Sequence, residues 1–307
     1  MRRFSKITTT QLARICGVSQ GTVDRALHNR SGIHPETRER ILAVAKEYDY
    51  IPNIEGSAQG NSMLIGVVLF DLYNEFFSKL AMSLVRTARE YGYSIIFQFS
   101  EKNDKNEKAA IEYFDYIGVD GIVLFSVGSD SEEYENYLKS LKKPLVTIGN
   151  RLFDLPFIGI DDAQAMYDLS LELAKKISSG DLLYYAPILQ KNLHSKNAQL
   201  LRKNGFVQAM NSLGRSYRIV TEQEELSNFG GIVCSTDHYM LNALNYLGYP
   251  NDLIIGGFDH ISALKTLPVR VFSVEYSTDQ IAKECFHYIL GTPFTPKIEH
   301  RLVDNKA

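Results

Sequence analysis

From residue 64 onward the chain repeats one pattern that leaves few folds open. A short apolar run is followed by a helical period, then another apolar run. Residues 64–70 are continuously apolar, and a helical pattern covers 75–91. Strand-like and helix-like stretches then alternate at 94–99 and 105–117, 121–127 and 132–141, and 144–149. Residues 157–160 read as a strand with no helix before it. After Asp162 the alternation restarts: a helix to 177, strands at 182–186, 217–220, 231–235, 253–257 and 271–275, and helices near 198–213, to 247 and at 278–290. Apolar runs without a polar face belong to strands covered on both sides, which means parallel sheets flanked by helices. The body is long for one such sheet, and the bare strand marks a crossing point. Two lobes are expected, 63–161 plus 277–295 and 162–276 plus 296–307, with a ligand cleft at the C-terminal ends of the strands.

The first sixty residues have no strand period. Thr8-x-x-Gln11 has capping-box spacing, and Leu12, Ile15 and Cys16 follow at helical intervals. Gly17 supplies a turn, and Ser19 is a good N-cap for a second helix, stapled by Val18 and Val23. That helix keeps Val23, Ala26 and Leu27 on one face and Gln20, Gly21, Asp24, Arg25 and His28 on the other. A third helix starts at Pro35 and is expected to bury Ile41, Val44, Ala45 and Tyr48. Two helices joined by a tight turn, the second presenting Gln and Arg outward, form a helix-turn-helix suited to a major groove, although the same caps and periodicity also fit a plain three-helix bundle with a polar surface. Charge points the same way. Residues 1–60 carry 9 Lys+Arg against 6 Asp+Glu, while the remainder carries 24 against 30. A basic head on an acidic body suits an anionic partner for the head.

Other classes are excluded or disfavoured. A chain that is 45% apolar and 22% charged has the composition of a folded one. No stretch approaches the ~20 apolar residues of a membrane span, and no apolar core follows the basic N-terminus, so neither a membrane nor a secretory destination is expected. Three scattered cysteines, Cys16, Cys234 and Cys285, fit reduced thiols in a cytoplasm and argue against a disulfide framework or a metal site. There is no G-x-x-x-x-G-K-[ST], G-x-S-x-G or H-E-x-x-H motif. The pairs Asp161/Asp162 and Asp259/His260 are adjacent, so they would point to opposite faces of a strand. No enzyme, catalytic residue or cofactor is expected.

The run Leu12-Ala13-Arg14-Ile15-Cys16-Gly17-Val18-Ser19-Gln20-Gly21-Thr22-Val23-Asp24-Arg25-Ala26-Leu27-His28-Asn29 resembles the signature of the LacI/GalR family of bacterial transcriptional regulators. Pro35-x-Thr37-Arg38 and Tyr50-Ile51-Pro52-Asn53 also fall where that family has theirs. The resemblance implies an all-α DNA-binding head over 1–52, a hinge over 53–62, and a two-lobed α/β body like a periplasmic sugar-binding protein. It places Gln20, Gly21 and Arg25 at base-reading positions, and Thr10, Ser19, Thr22 and Asn29 at phosphate-contact positions. Gly21 has no side chain to read with, so specificity would rest on Gln20, suited to adenine, and Arg25, suited to guanine. Asp24 stands where the family usually has Ser; an acid there is repelled by phosphate unless it orients Arg25 or accepts from a cytosine amino group, and the orienting role is preferred. In the hinge, Gln59 replaces the Leu that the family presses into the minor groove. Gly56 and Gly60 weaken a helix there, so little or no operator kinking is expected from this segment unless Ile54 takes the place of the Leu.

The resemblance extends through the body. Asn74-Glu75-Phe76-Phe77 follows the first strand, Asn150-Arg151 the fourth, and Arg202-x-x-Gly205-Phe206 and Gly257-Phe258-Asp259 match two further family motifs. It implies an effector site built from Asn74, Phe76, Phe77, Arg151, Arg202, Thr236, Asp259 and Tyr276. Charged groups would pair with hydroxyls, and Phe faces would cover the C–H face of a sugar ring. Asp237 begins a helix and reads as its N-cap rather than a ligand. Thr236, Tyr276 and Asp161-Asp162 depart from common family choices, which leaves the effector open among a sugar, a sugar phosphate and a purine, with a sugar favoured. The expected whole is a cytoplasmic homodimeric repressor on palindromic duplex DNA.

Overall fold

The fold was analysed in a computed structural model that describes residues 9–27, 31–48, 62–129, 131–190 and 197–306. The chain divides into two units, Met1–Ser62 and Met63–Ala307. In the first, α1 (Thr9–Cys16), α2 (Gln20–Leu27) and α3 (Pro35–Glu47) surround a small core. Leu12, Val23 and Ile41 have no exposed surface there. Each such side chain contributes about 1.5–3 kcal/mol by leaving water. The turn between α1 and α2 is closed by Val18 N–H donating to the Ala13 carbonyl at 3.0 Å, with Gly17 at φ +64°. Two expectations fail here. Ile15 and Tyr48 are 46% and 42% exposed, and Ala13 joins Leu12 and Cys16 in the core instead. The Thr8 cap and residues 49–61, which hold all of the expected hinge but Ser62 and include Gln59, lie outside the described residues.

In the second unit, β1 (Leu64–Leu69), α4 (Glu75–Glu90), β2 (Ser94–Phe99), α5 (Asp104–Ile117), β3 (Gly121–Leu124), α6 (Glu132–Ser140), β4 (Leu145–Ile148) and β5 (Phe157–Ile158) build the first lobe. Its sheet is parallel throughout, in the order β2-β1-β3-β4-β5. The second lobe holds α7 (Asp162–Ala174), β6 (Leu182–Tyr185), α8 (Ala198–Leu213), β7 (Tyr217–Val220), β8 (Gly231–Cys234), α9 (Asp237–Leu247), β9 (Ile254–Phe258) and β10 (Phe272–Tyr276). The chain then returns to the first lobe as α10 (Thr278–Ile289), which packs on α4 and the first sheet. It closes as β11 (His300–Asp304), and the second sheet runs β11-β10-β9-β8-β6-β7. Gly159 bridges to Lys297 between the two sheets, so two of the crossings between lobes pair with each other.

The inner strands are buried on both faces, as their unbroken apolar runs predict, whereas β2 and β7 at the sheet edges are only partly buried. In β6, Leu182 and Tyr184 face one core, and Leu183 and Tyr185 face another. Two elements depart from the sequence expectation. β11 is antiparallel to β10, whereas only parallel strands were expected. Its sequence His300-Arg301-Leu302-Val303-Asp304 has no apolar run, and ion pairs hold both its ends: Arg301 with Glu275, and Asp304 with Arg270 at 2.5 Å. Helix α7 stops at Ala174 rather than 177. Arg215 donates to the carbonyls of Ala174 (2.7 Å) and Ile177 (3.0 Å), which gives them partners outside a helix.

Candidate functional site

In the head, Ser19 caps α2 by accepting from Thr22 N–H at 3.2 Å, and its hydroxyl lies 2.9 Å from that of Thr22. Burial of Val23 and Ala26 sends Gln20, Gly21 and Arg25 outward. The Gln20 amide donates to the Thr10 hydroxyl, tying α2 to α1. A Cβ at Gly21 would meet nothing nearer than 3.9 Å, so the glycine leaves open space on an exposed face rather than serving a packing need. Asn29 lies outside the described residues. The arrangement is a short exposed helix whose first turn carries hydroxyls and amides, a form that can meet phosphate oxygens and base edges.

In the body, a cavity of about 500 Å³ is walled by residues of both lobes. Its first-lobe side is aromatic. Asn74 caps α4 by accepting from Phe76 N–H at 3.0 Å, which sets Phe76 and Phe77 in the first turn of the helix against the cavity. Phe77 packs edge-on to Phe125, with ring centres 4.9 Å apart, and Phe76 lies 5.6 Å from Tyr276 across the cavity.

The second-lobe side is charged. Arg202, one turn inside α8, is 6% exposed. Its Nε donates to Asp162 Oδ1 at 2.8 Å, its Nη1 to the Ser235 carbonyl at 2.9 Å, and its Nη2 lies 3.5 Å from Asp259. The guanidinium also stacks 3.6 Å from the centre of the Phe258 ring. Tyr276 donates its hydroxyl to Asp259 at 3.0 Å. Burial works against the charge on Arg202, but Asp162 and Asp259 more than offset it and raise its pKa. Burial raises the carboxyl of Asp162 despite the Arg202 partner, and pushes that of Asp259 up to about 6 despite Arg202 and Tyr276. Among the described residues no cluster of three or more His, Cys, Asp or Glu side chains could hold a metal ion, and no helix is long and apolar enough to cross a membrane.

A basic helix-turn-helix followed by a two-lobed body with this polar and aromatic cavity has close counterparts. Residues 9–53 match the family described as "Bacterial regulatory proteins, lacI family". Residues 62–234 match "Periplasmic binding proteins and sugar binding domain of LacI family". The chain belongs to the LacI family. It is therefore a DNA-binding transcriptional regulator with a sensor body, and not an enzyme. A relative, the HTH-type transcriptional regulator RegA of Clostridium acetobutylicum, is 24% identical, with 91% of this chain and 95% of RegA covered. Two solved structures share the fold. A periplasmic binding protein/LacI transcriptional regulator from Alkaliphilus metalliredigens, complexed with D-xylulofuranose, has a TM-score of 0.66 and 19% identity over 79% of this chain and 97% of its own. The lac repressor dimer bound to operator and the anti-inducer ONPF has a TM-score of 0.65 and 16% identity over 97% and 98%.

Of the expected effector residues, Asn74, Phe76, Phe77, Arg202, Thr236, Asp259 and Tyr276 of this LacI-family chain line the one cavity. Arg151 does not. It is exposed, and its guanidinium lies 3.9 Å over the ring of Phe157, so it covers the outside of an aromatic that itself lines the wall. Its neighbour Asn150 points inward instead. Asn150 Nδ2 donates to the Ser126 carbonyl at 2.7 Å, and its Oδ1 accepts from Ala198 N–H at 3.0 Å. A first-lobe side chain thus takes up the first amide of the helix that carries Arg202, beside its cap Asn197, which accepts from Gln199 N–H at 2.9 Å.

The sequence reading also missed a clasp across the cavity rim. Glu75 accepts from Ser262 N–H (2.7 Å) and Ser262 Oγ–H (2.8 Å), and Lys79 donates to the His260 carbonyl at 2.9 Å. Nothing local could have signalled it, since the partners stand 187 and 181 positions apart. Glu107 was passed over as well. It is fully buried and accepts from Ser126 Oγ–H, Val127 N–H and Tyr134 O–H, which pins the loop that Asn150 holds. Burial raises its carboxyl, and the three donors offset only part of that. Finally, Asp237 is not the cap of α9. Thr236 is, by accepting from Tyr239 N–H at 3.3 Å, and Asp237 is the first helical residue, wholly buried.

Proposed function

We propose that this regulator is a cytoplasmic homodimer that represses transcription from a palindromic operator, and that an unphosphorylated sugar or small polyol in the cavity sets its grip on DNA. The observation that carries the effector class is the charge balance around Arg202. Its guanidinium is already shared between Asp162 and Asp259, with Asp237 buried close by. Among the described residues, a phosphate would meet two cavity carboxylates and no buried cation besides Arg202, the cavity-lining Lys102 being exposed and 4.0 Å from Asp71, so it is disfavoured. Paired hydroxyls can accept from the guanidinium and donate to the carboxylates at once. Phe76 and Tyr276 supply apolar faces for a ring. The xylulofuranose in the Alkaliphilus regulator and the operator-bound dimer of the lac repressor support the same reading by analogy. The three buried free thiols suit a reducing compartment. The domain limits we assign are 1–52 for the head, 53–62 for the hinge, and the two lobes as set out above.

A thermal-shift screen over D-xylulose, D-ribose, cellobiose, fructose 1-phosphate and hypoxanthine tests the effector class. A ligand at 100 times its dissociation constant adds about 2.7 kcal/mol of stability. Shifts by hypoxanthine or by the sugar phosphate alone would overturn the assignment.

Asp259→Ala is expected to abolish the response to the sugar while leaving operator affinity intact. The same carboxyl predicts a pH dependence. Because Asp259 must be ionised to accept from sugar hydroxyls, sugar affinity should rise as pH increases through about 6. The empty protein behaves in the opposite sense. A folded pKa above the unfolded value means that the stability contributed by this group is full in acid and is lost as pH rises through about 6. Calorimetric titration at pH 5 and pH 8 separates the two effects.

In the head, Arg25→Ala should cost about 1–3 kcal/mol of discrimination at one operator base pair. Competition with operators altered one base pair at a time measures it. Equal loss on every sequence would place Arg25 on the phosphate backbone.

A further inference from the structure

The cavity base depends on a backbone conformation that its own residues do not favour. Asp259 has φ +100° and its neighbour His260 φ +44°, both in the left-handed half of the map, which is costly for residues with a Cβ. Something must hold them there.

The holding groups lie behind the cavity, outside its wall. Asp237, with no exposed surface, accepts from Ile261 N–H at 3.0 Å. Both its oxygens also accept from the Ser273 hydroxyl, at 2.8 and 3.0 Å. Ser273 Oγ in turn accepts from His260 N–H at 3.1 Å. The amide of Asp259 donates to the Val274 carbonyl at 3.0 Å. Three successive amides, 259 to 261, are therefore fastened from β10 and the first turn of α9.

Gly257 makes this possible. A Cβ there would stand 2.3 Å from Asp237 Oδ1, so a side chain at the first position of Gly257-Phe258-Asp259 would evict the buried acid. The same turn that carries Asp237 also supplies the Ser235 carbonyl that holds Arg202.

We propose that Asp237, acting with Ser273, is a positioning residue of the sensor: it holds the left-handed turn at Asp259–His260 and so aims the Asp259 carboxylate at Tyr276, Arg202 and the cavity, without touching the effector. The inference rests on the sensor reading of the cavity for its purpose. Its test does not need an effector, so failure of the sugar assignment and failure of this proposal can be told apart.

The test uses full-length isotopically labelled protein, with amide exchange at His260 and Ile261 and a ¹³C titration of the Asp259 carboxyl as readouts. In the unaltered chain, burial is expected to bring the Asp259 midpoint to about 6. In Ser273→Ala and Asp237→Asn, the two amides are expected to exchange about ten-fold faster or more, and the Asp259 midpoint to fall toward the ordinary carboxylate range as the group swings into water. His260→Gly, which adopts a left-handed turn without strain, should restore the midpoint in the Ser273→Ala background. If Asp237→Asn fails to fold, Ser273→Ala with its rescue still decides the matter. Unchanged exchange and midpoint in Ser273→Ala would overturn the proposal. So would a fallen midpoint that His260→Gly does not recover, since the pair would then be acting through general packing.

Discussion

Arg202→Ala should lower stability by about 3–5 kcal/mol in urea unfolding at pH 8, because removing one member of a buried ion pair leaves its partners uncompensated. Asp162 and Asp259 would both remain in a site that is nearly closed to water, with side chains 5% and 6% exposed. The Ser235 carbonyl would lose its donor, and the Phe258 ring its cation. The loss should shrink at pH 5. Burial already raises both carboxyls, and without the guanidinium they rise further, so acid neutralises them in place. A penalty that stayed constant with pH would assign the effect to lost packing rather than to stranded charge. The variant should also give no response to the sugar.

Gly205→Ala is the second large effect. Gly205 lies on the face of α8 that meets α7, and a Cβ there would stand 2.0 Å from the Ala163 carbonyl oxygen. A backbone oxygen cannot rotate aside, so the two helices must part. The helix itself would gain roughly 1 kcal/mol from Gly to Ala. Overpacking at a rigid contact costs up to about 3 kcal/mol, and more where nothing can yield. We expect a net loss of about 2 kcal/mol or more, with weakened sugar binding, because Asp162 rides on α7 and Arg202 on α8. Gly21→Ala in the head is the control. That site is open, so stability there should hold or rise slightly. A neutral Gly205→Ala would mean that the two helices can separate without cost.

These two residues also show why the motif Arg202-x-x-Gly205-Phe206 has its spacing. Positions three and four apart share a helix face. Gly205 brings that face against α7, Phe206 fills the core beside Tyr184 with ring centres 5.0 Å apart, and Arg202 is thereby delivered to Asp162. The motif was legible in the sequence. That its glycine exists for helix contact was not, because Ala163 lies 42 positions earlier in the chain.

The cavity was partly legible in the same way. Its residues fall at strand ends and helix starts, which apolar runs and capping residues locate well. Adjacent residues were harder. After β4 the chain offers Asn150 and Arg151, and the resemblance favoured the longer, charged one. Consecutive side chains diverge, and the turn sends Asn150 inward to the first amide of α8 and Arg151 outward onto Phe157. At the start of α9 the same ambiguity assigned the cap to Asp237 when Thr236 holds it. Asp237 was thereby read only as a helix cap, although it is among the most buried acids of the described residues.

What the amino-acid order settled alone is the part governed by interactions within a few positions. The three head helices with their outward Gln20 and Arg25 belong here, as does the alternation of parallel strands and helices. Capping, turns and apolar periodicity act over one to four residues, so they can be read without knowing the fold. What only the tertiary structure decided is where charges meet. The sharing of Arg202 between Asp162 and Asp259, the fastening of a left-handed turn by Asp237 and Ser273, and the clasp of Glu75 on Ser262 all join residues tens to hundreds of positions apart. Their energies come from burial and from satisfying polar groups away from water. Neither exists until the sheets and helices have closed around them.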